Sequence, residues 1–277
     1  MKFSVFTAST PEWTPAQAAT ILAGQGWDGI EWRVTDQDSA QVPGFWAGNL
    51  ATWPLTGLED SLATIRETAA AAGLSCSGIG GYARSHDRPN VERLLAATAA
   101  VGAGQVRVTM PQVGDGNYRD LFEATRADLA WAASRAASYG VKALVELHHR
   151  TIAASASAAM RLVDGLDPAH VGVIHDIGNL IIEGYEDPLA GFQMLGPYLA
   201  HVHVKNVSWH IVSQSPQRTV WAEHWAPLRD GQADLPAYFT ALAAHGYDGW
   251  VAVEDFSTAQ PLADRTRDNL AYLRSLL

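Results

Sequence analysis

Four side chains able to bind a metal or move a proton close four β-branched runs in the second half of the chain. They are Glu146 in KALVELHH, Asp176 in VGVIHDIGN, His203 in AHVHVKN and Glu254 in GWVAVEDF. Successive side chains of a strand point to opposite faces. In AHVHVKN, His201, His203 and Lys205 therefore share one face and Val202 and Val204 the other. Two imidazoles and an ammonium on a buried face need polar partners, and the other three runs end in carboxylates that match them. Three carboxylates and one imidazole suit divalent ions of the Mg, Mn, Co and Zn group. The set favours a hard or borderline ion, Mn²⁺ first, over the sulfur-rich closed sites of structural zinc. Any one of the four, taken alone, is better explained as a satisfied polar group at a strand end. Their recurrence at one relative position on four runs points to a site.

Parity supports this reading. Counting back by twos puts Leu144, Ile174, His201 and Ala252 on the same face as the four candidates, while Val145, Val202 and Val253 lie on the other. His203 stands nearer the carboxyl end than His201, so it is the preferred ligand and His201 a buried polar partner one layer down. Asp255 and His175 are out of phase and belong near strand ends or between helices. His148, two residues past Glu146, is a candidate for substrate or for support of the ligands. Lys205 either neutralises a developing oxyanion or forms a salt bridge at the rim. Glu31 and Arg33, alternate residues of GIEWRV, either touch substrate or pair with each other. Arg107 in QVRVTM is a weaker candidate, because its phase is ambiguous between two valines.

The elements that must position these groups alternate along the whole chain. Strands are predicted at 2–7, 29–34, 74–80, 105–110, 141–148, 171–176, 200–206 and 250–255. Helices are predicted at 14–25, 58–72, 89–102, 118–139, 155–165, 188–198, 235–245 and 261–276. Thr14 is a candidate N-cap with Pro15 at the first helical position, and Gly73 and Gly140 are candidate helix stops. The stretch from 207 to 232 reads as irregular. Eight β-then-α units imply a parallel sheet, and at this length a closed (β/α)₈ TIM barrel over residues 1–277 as one domain. Such barrels keep their chemistry at the carboxyl ends of the strands, where the four candidates fall. GIGG at 78–81 lacks the rest of a dinucleotide fingerprint and reads as a tight turn after a strand.

A net charge of −10 argues against nucleic-acid or anionic-membrane surfaces and leaves room for a small anionic substrate. The lone Cys76 rules out an internal disulfide framework and suits a reducing cytoplasm, with a small buried strand residue as the expectation. No run approaches the ~20 apolar residues of a membrane helix, and the amino terminus reads directly as a strand, so a soluble, unprocessed cytoplasmic protein is expected. Trp46, Trp53, Trp209, Trp221 and Trp225 cluster in two loops. They suit stacking on a sugar, packing of the loops onto the barrel, or an interface between copies of the chain in a homo-oligomer.

The ordered motifs ELHH, HDIGN, HVHVKN and VEDF, with GWDGIEWR and LRDGQADLPAYFTAL, make nearly the whole chain resemble the sugar phosphate isomerase/epimerase superfamily, the xylose-isomerase-like barrels. The resemblance implies a metal held by Glu146, Asp176, His203 and Glu254. It also implies that Glu146 and Glu254 act as an acid/base pair on the carbon next to a metal-polarised carbonyl, through an enediolate. The implied substrate is a small keto-sugar, polyol or sugar-derived acid. Asn179 stands where many epimerases of the family carry a histidine, able to bond a hydroxyl but not to shuttle a proton. Asn206 replaces the usual aspartate after Lys205, and Trp209 falls on an arginine position. A dehydratase of an inosose-like or shikimate-like keto-polyol is the first alternative, and a sugar-binding barrel without turnover the second. An abasic-site endonuclease is set aside, because it needs several early histidines and the first here is His86.

Overall fold

In a computed structural model describing residues 1–277, eight parallel strands close into a barrel. They are β1 (Lys2–Phe6), β2 (Gly29–Val34), β3 (Ser75–Gly81), β4 (Gln105–Val108), β5 (Lys142–Glu146), β6 (Val171–Asp176), β7 (Leu199–Val204) and, after two further strands, β10 (Trp250–Val253). β10 closes the ring between β7 and β1. Outside lie α1 (Pro15–Gln25), α2 (Leu58–Ala71), α3 (Arg88–Ala100), α4 (Tyr118–Tyr139), α5 (Ala156–Val163), α6 (Ile177–Glu183), α7 (Pro188–Leu195), α8 (Leu235–His245) and α9 (Leu262–Arg274). The expected barrel is the observed one.

Local signals fix the helix ends. Thr14 and Gln17 form a reciprocal capping box ahead of Pro15, and Gly140 stops α4 in the left-handed region at φ 65°. The off-phase valines Val145, Val173, Val202 and Val253 join the core between sheet and helices, whereas Leu144, Ile174 and Ala252 are buried but not in that core, being on the inward face. Out of phase as expected, His175 packs between α7 and α8, against Phe192 and Tyr238.

Three expectations are corrected. Residues 206–226 are a ribbon rather than an irregular stretch: β8 (Asn206–Ser215) pairs antiparallel with β9 (Arg218–Ala226). Both faces of this ribbon meet solvent over much of its length, so no apolar alternation marks it. The seven-residue α6 directly after β6 is too short to display a helical period, and Asp176 caps it by accepting the Asn179 N–H at 3.0 Å. GIGG is not a turn but the end of β3. A Cβ at Gly80 would lie 2.1 Å from the Phe6 ring, so the glycine makes room for Phe6 to stack on His203. No helix is long and apolar enough to cross a membrane.

Candidate active site

Register brings the four candidates together. Asp176 lies beside His203 across the β6–β7 pair, and β10 runs along the far side of β7, so that Glu254 follows its last residue. One ligand atom from each of Glu146, Asp176, His203 and Glu254 lies within 4.8 Å of the others. All four are buried, Asp176 and His203 completely. The Nδ1 of His203 faces three carboxylates, 3.2 Å from Glu146 Oε1, 3.4 Å from Glu254 Oε1 and 3.9 Å from Asp176 Oδ2.

The other nitrogen of His203 is already engaged. Its Nε2 donates to Glu31 Oε2 at 3.2 Å, and His201 Nε2 donates to the same oxygen at 2.9 Å. A carboxylate only accepts, so Glu31 fixes the proton on Nε2 and leaves Nδ1 as the atom turned to the acidic cluster. Histidine ligands are commonly oriented in this way by a carboxylate behind them. His201 is one layer below His203, as parity implies. Glu31 and Arg33 neither pair with each other nor line the cavity above. Arg33 instead donates to Gln37 and Thr52, and Tyr82 stacks on it.

The cluster carries more negative charge than its neighbours neutralise. Burial alone would raise Glu146, but the Arg107 guanidinium, 2.9 Å from Oε2, outweighs it with help from His203 and holds Glu146 well below the usual carboxylate range. Burial raises Asp176, Lys205 pulls it back, and Glu254 and Glu146 add to the rise, leaving it pushed up to about 7. Burial works against protonated His203, yet Glu254 and Glu31 hold it well above the ordinary histidine value. The Lys205 ammonium is likewise held charged against burial by Asp176 and Glu254, to which it donates. Protons on Asp176 and on His203 Nδ1 are what a divalent ion would displace on binding. The donor set therefore fits a metal: hard oxygens, one oriented imidazole nitrogen and surplus negative charge.

Glu146, Glu254, Lys205, His148 and Asn179 all border a cavity of about 400 Å³ at the carboxyl ends of the strands. β5 ends at Glu146, so the following loop rather than strand phase sets His148, which stacks on His149 at 4.4 Å. Burial lowers the pKa of both rings, that of His149 to about 4. Asn179 is fixed by a bond from Nδ2 to Leu147 O and another between Oδ1 and His149 Nδ1. Gly178 lets α6 pack onto Lys205, since a Cβ there would sit 2.3 Å from Lys205 Cγ.

Arg107, the weaker candidate by phase, faces inward and borders the cavity. It donates to Glu146 and to Gly81 O while Tyr82 and Phe6 cover its guanidinium. Tyr82 escaped the sequence reading because nothing in its local pattern marks it, although it follows β3 directly. Of the five tryptophans expected in loops, three lie on the ribbon, Trp209 in β8 and Trp221 and Trp225 in β9; Trp46 and Trp225 reach the cavity. Trp53 packs edgewise on Trp32, Trp209 donates to Ile181 O, and Trp221 is exposed.

The family model of the xylose isomerase-like TIM barrel matches residues 20–276, and the chain belongs to that family. It is 26% identical over 243 residues to a 3-dehydro-D-guloside 4-epimerase of Escherichia coli K12, covering 80% of this chain and 86% of that one. An inosose dehydratase of Lacticaseibacillus casei is 27% identical over 146 residues, 49% of this chain and 47% of the relative, so the chain spans about half the length of that enzyme. Among solved structures, a 3-keto-D-glucoside 4-epimerase from Escherichia coli superimposes with a TM-score of 0.75 at 19% identity, covering 99% of both chains. A probable 3-DHS dehydratase from Bacillus anthracis superimposes with a TM-score of 0.73 at 18% identity, also over 99% of both. These structural likenesses concern the fold.

Proposed function

We propose that the protein is an isomerase or epimerase of a small keto-sugar, polyol or sugar-derived acid, dependent on one divalent metal. Glu146, Asp176, His203 and Glu254 hold the ion, with Mn²⁺ as the first choice and Mg²⁺, Co²⁺ or Zn²⁺ as the others the donors accept. The observation that carries this reading is His203, locked on Glu31 through Nε2 and turned through Nδ1 to three carboxylates at the floor of a cavity. The epimerase relative, matched over most of both chains, supports the reaction class.

A bound divalent ion would act as a Lewis acid on the substrate carbonyl and acidify the neighbouring C–H. One of Glu146 and Glu254 removes that proton and the other returns one to the opposite face. Arg107 keeps Glu146 ionised and aimed. Lys205 supplies positive charge as the carbonyl oxygen becomes negative. His148 and Asn179 bond substrate hydroxyls at the cavity wall, and Glu31 acts as a positioning residue beneath. The test is incubation with Mn²⁺ and a panel of keto-sugars in D₂O. Deuterium enters the carbon next to the carbonyl with the wild type and not with Glu254→Gln. Absence of exchange from every ketose would sink the reading.

The similarity to inosose dehydratases supports a second reading, loss of water from a keto-polyol after the same proton abstraction. His148 and His149 are then the imidazoles available to the departing hydroxyl. Mass spectrometry of the same incubations separates the two, since a dehydrated product is lighter by one water and an epimer is not.

A further inference from the structure

The proposed reaction uses only the floor of the cavity, and the wall above it has a different character. Phe256, buried just after β10, is the hub of three aromatic contacts, with ring centroids 5.1 Å from Phe45, 4.9 Å from Trp46 and 5.2 Å from Trp225. Trp46, Trp225 and Phe256 all border the cavity, and Trp46 is 52% exposed. An indole held against a buried ring with half its surface in water is a ready stacking platform. At about 30 Å³ per displaced water, the 400 Å³ cavity corresponds to about 13 waters, roughly twice what one hexose ring displaces. Room remains for a second group after the reacting ring is seated.

Charge narrows what that group can be. Each cation on the cavity wall already has a carboxylate partner: Arg84 with Asp115 at 3.0 Å, Arg107 with Glu146 at 2.9 Å, and Lys205 with Asp176 and Glu254. A phosphate or carboxylate on the substrate would meet no unpaired cation there. We infer that the substrate is an uncharged keto-glycoside, whose reacting ring lies on the carboxylate floor while its second ring or aglycone stacks on Trp46 and Trp225. The identity of the reacting ring rests on the proposed epimerase chemistry; the stacking subsite rests on the wall itself.

Calorimetric titration of the full chain, with and without Mn²⁺, tests this with probes that carry no ketone and cannot turn over. The probes are 1,5-anhydro-D-glucitol, its 6-phosphate, and the two anomers of phenyl D-glucoside. The better phenyl glucoside binds about tenfold tighter than 1,5-anhydroglucitol, the upper end of what one good aromatic contact contributes. In Trp46→Ala and Trp225→Ala proteins with wild-type circular dichroism, that ratio falls to within about twofold. The 6-phosphate binds no tighter than its parent. Equal binding of the phenyl and ring-only probes, a preference untouched by both substitutions, tightest binding of the 6-phosphate, or no binding of any probe would each overturn the inference. A phenyl preference without deuterium exchange from ketoses keeps the subsite and removes the epimerase; exchange without the preference does the reverse.

Discussion

Substituting Glu31 by Gln isolates the proposed role of a residue that does not line the cavity and is not one of the four proposed ligands. Its Oε2 accepts from His203 Nε2 at 3.2 Å and from His201 Nε2 at 2.9 Å, and the side chain is 2% exposed. Gln keeps the shape and one accepting oxygen but removes the charge. It also brings an amide N–H₂ that can meet Nε2 only if the imidazole proton moves to Nδ1, the atom required as a ligand. A hydrogen bond to a charged group contributes about 1.5–3 kcal/mol. Through the 1.4 kcal/mol per decade of affinity, that corresponds to a metal affinity weakened about 10- to 150-fold. Losing the carboxylate behind a ligating histidine commonly costs about 10–100-fold, which agrees. Equilibrium dialysis against graded Mn²⁺, with circular dichroism to confirm the fold, measures it. An E31Q protein that keeps its fold and binds Mn²⁺ as tightly as the wild type would refute the reasoning that the Glu31 charge behind His203 strengthens the metal site.

Arg107→Met leaves Glu146 buried without its cation, and breaking one side of such a pair costs about 3–5 kcal/mol; urea unfolding of the metal-free protein should show a midpoint lowered accordingly, and an unchanged midpoint would contradict the account of that pair. Burial pushes the Cys76 thiol up to about 12. Cys76 is half-buried, so a thiol reagent at pH 8 should label the native protein much more slowly than the unfolded chain, whereas equal labelling rates would contradict the raised pKa. Tyr238→Phe removes the hydroxyl 2.8 Å from His175 Nδ1 and leaves a buried imidazole whose Nε2 already lacks a partner. That costs about 1–3 kcal/mol, read as a lower thermal midpoint with metal content unchanged.

The inward-facing floor was legible because strand phase and strand end together determine it. His203, Asp176, Glu146 and Glu254 each follow a β-branched run whose alternate residues are committed to the helix-facing core, so their direction follows from sequence. Glu31 and Arg33 were legible as inward-facing, but their depth was not. Phase gives the face of a strand, and only the register between strands says which layer of the barrel a residue occupies. That is why the bonds of Glu31 to His201 and His203, and its absence from the cavity lining, could not be read from the strand alone. Arg107 sits in a four-residue strand too short for its phase to be read. The aromatic wall joins the loop after β2, the ribbon strand β9 and the residues after β10. These come from segments about 30 to 210 positions apart, and no local pattern ties them together. The β8–β9 ribbon itself was invisible because it buries neither face consistently.

Metal content per chain, measured on the wild type beside His203→Ala after both are supplied with Mn²⁺ and desalted, tests the central claim most directly. The account predicts about one ion per wild-type chain and close to none in the variant, with both proteins folded. A wild type that retains no ion, or a His203→Ala protein that retains as much as the wild type, would contradict it.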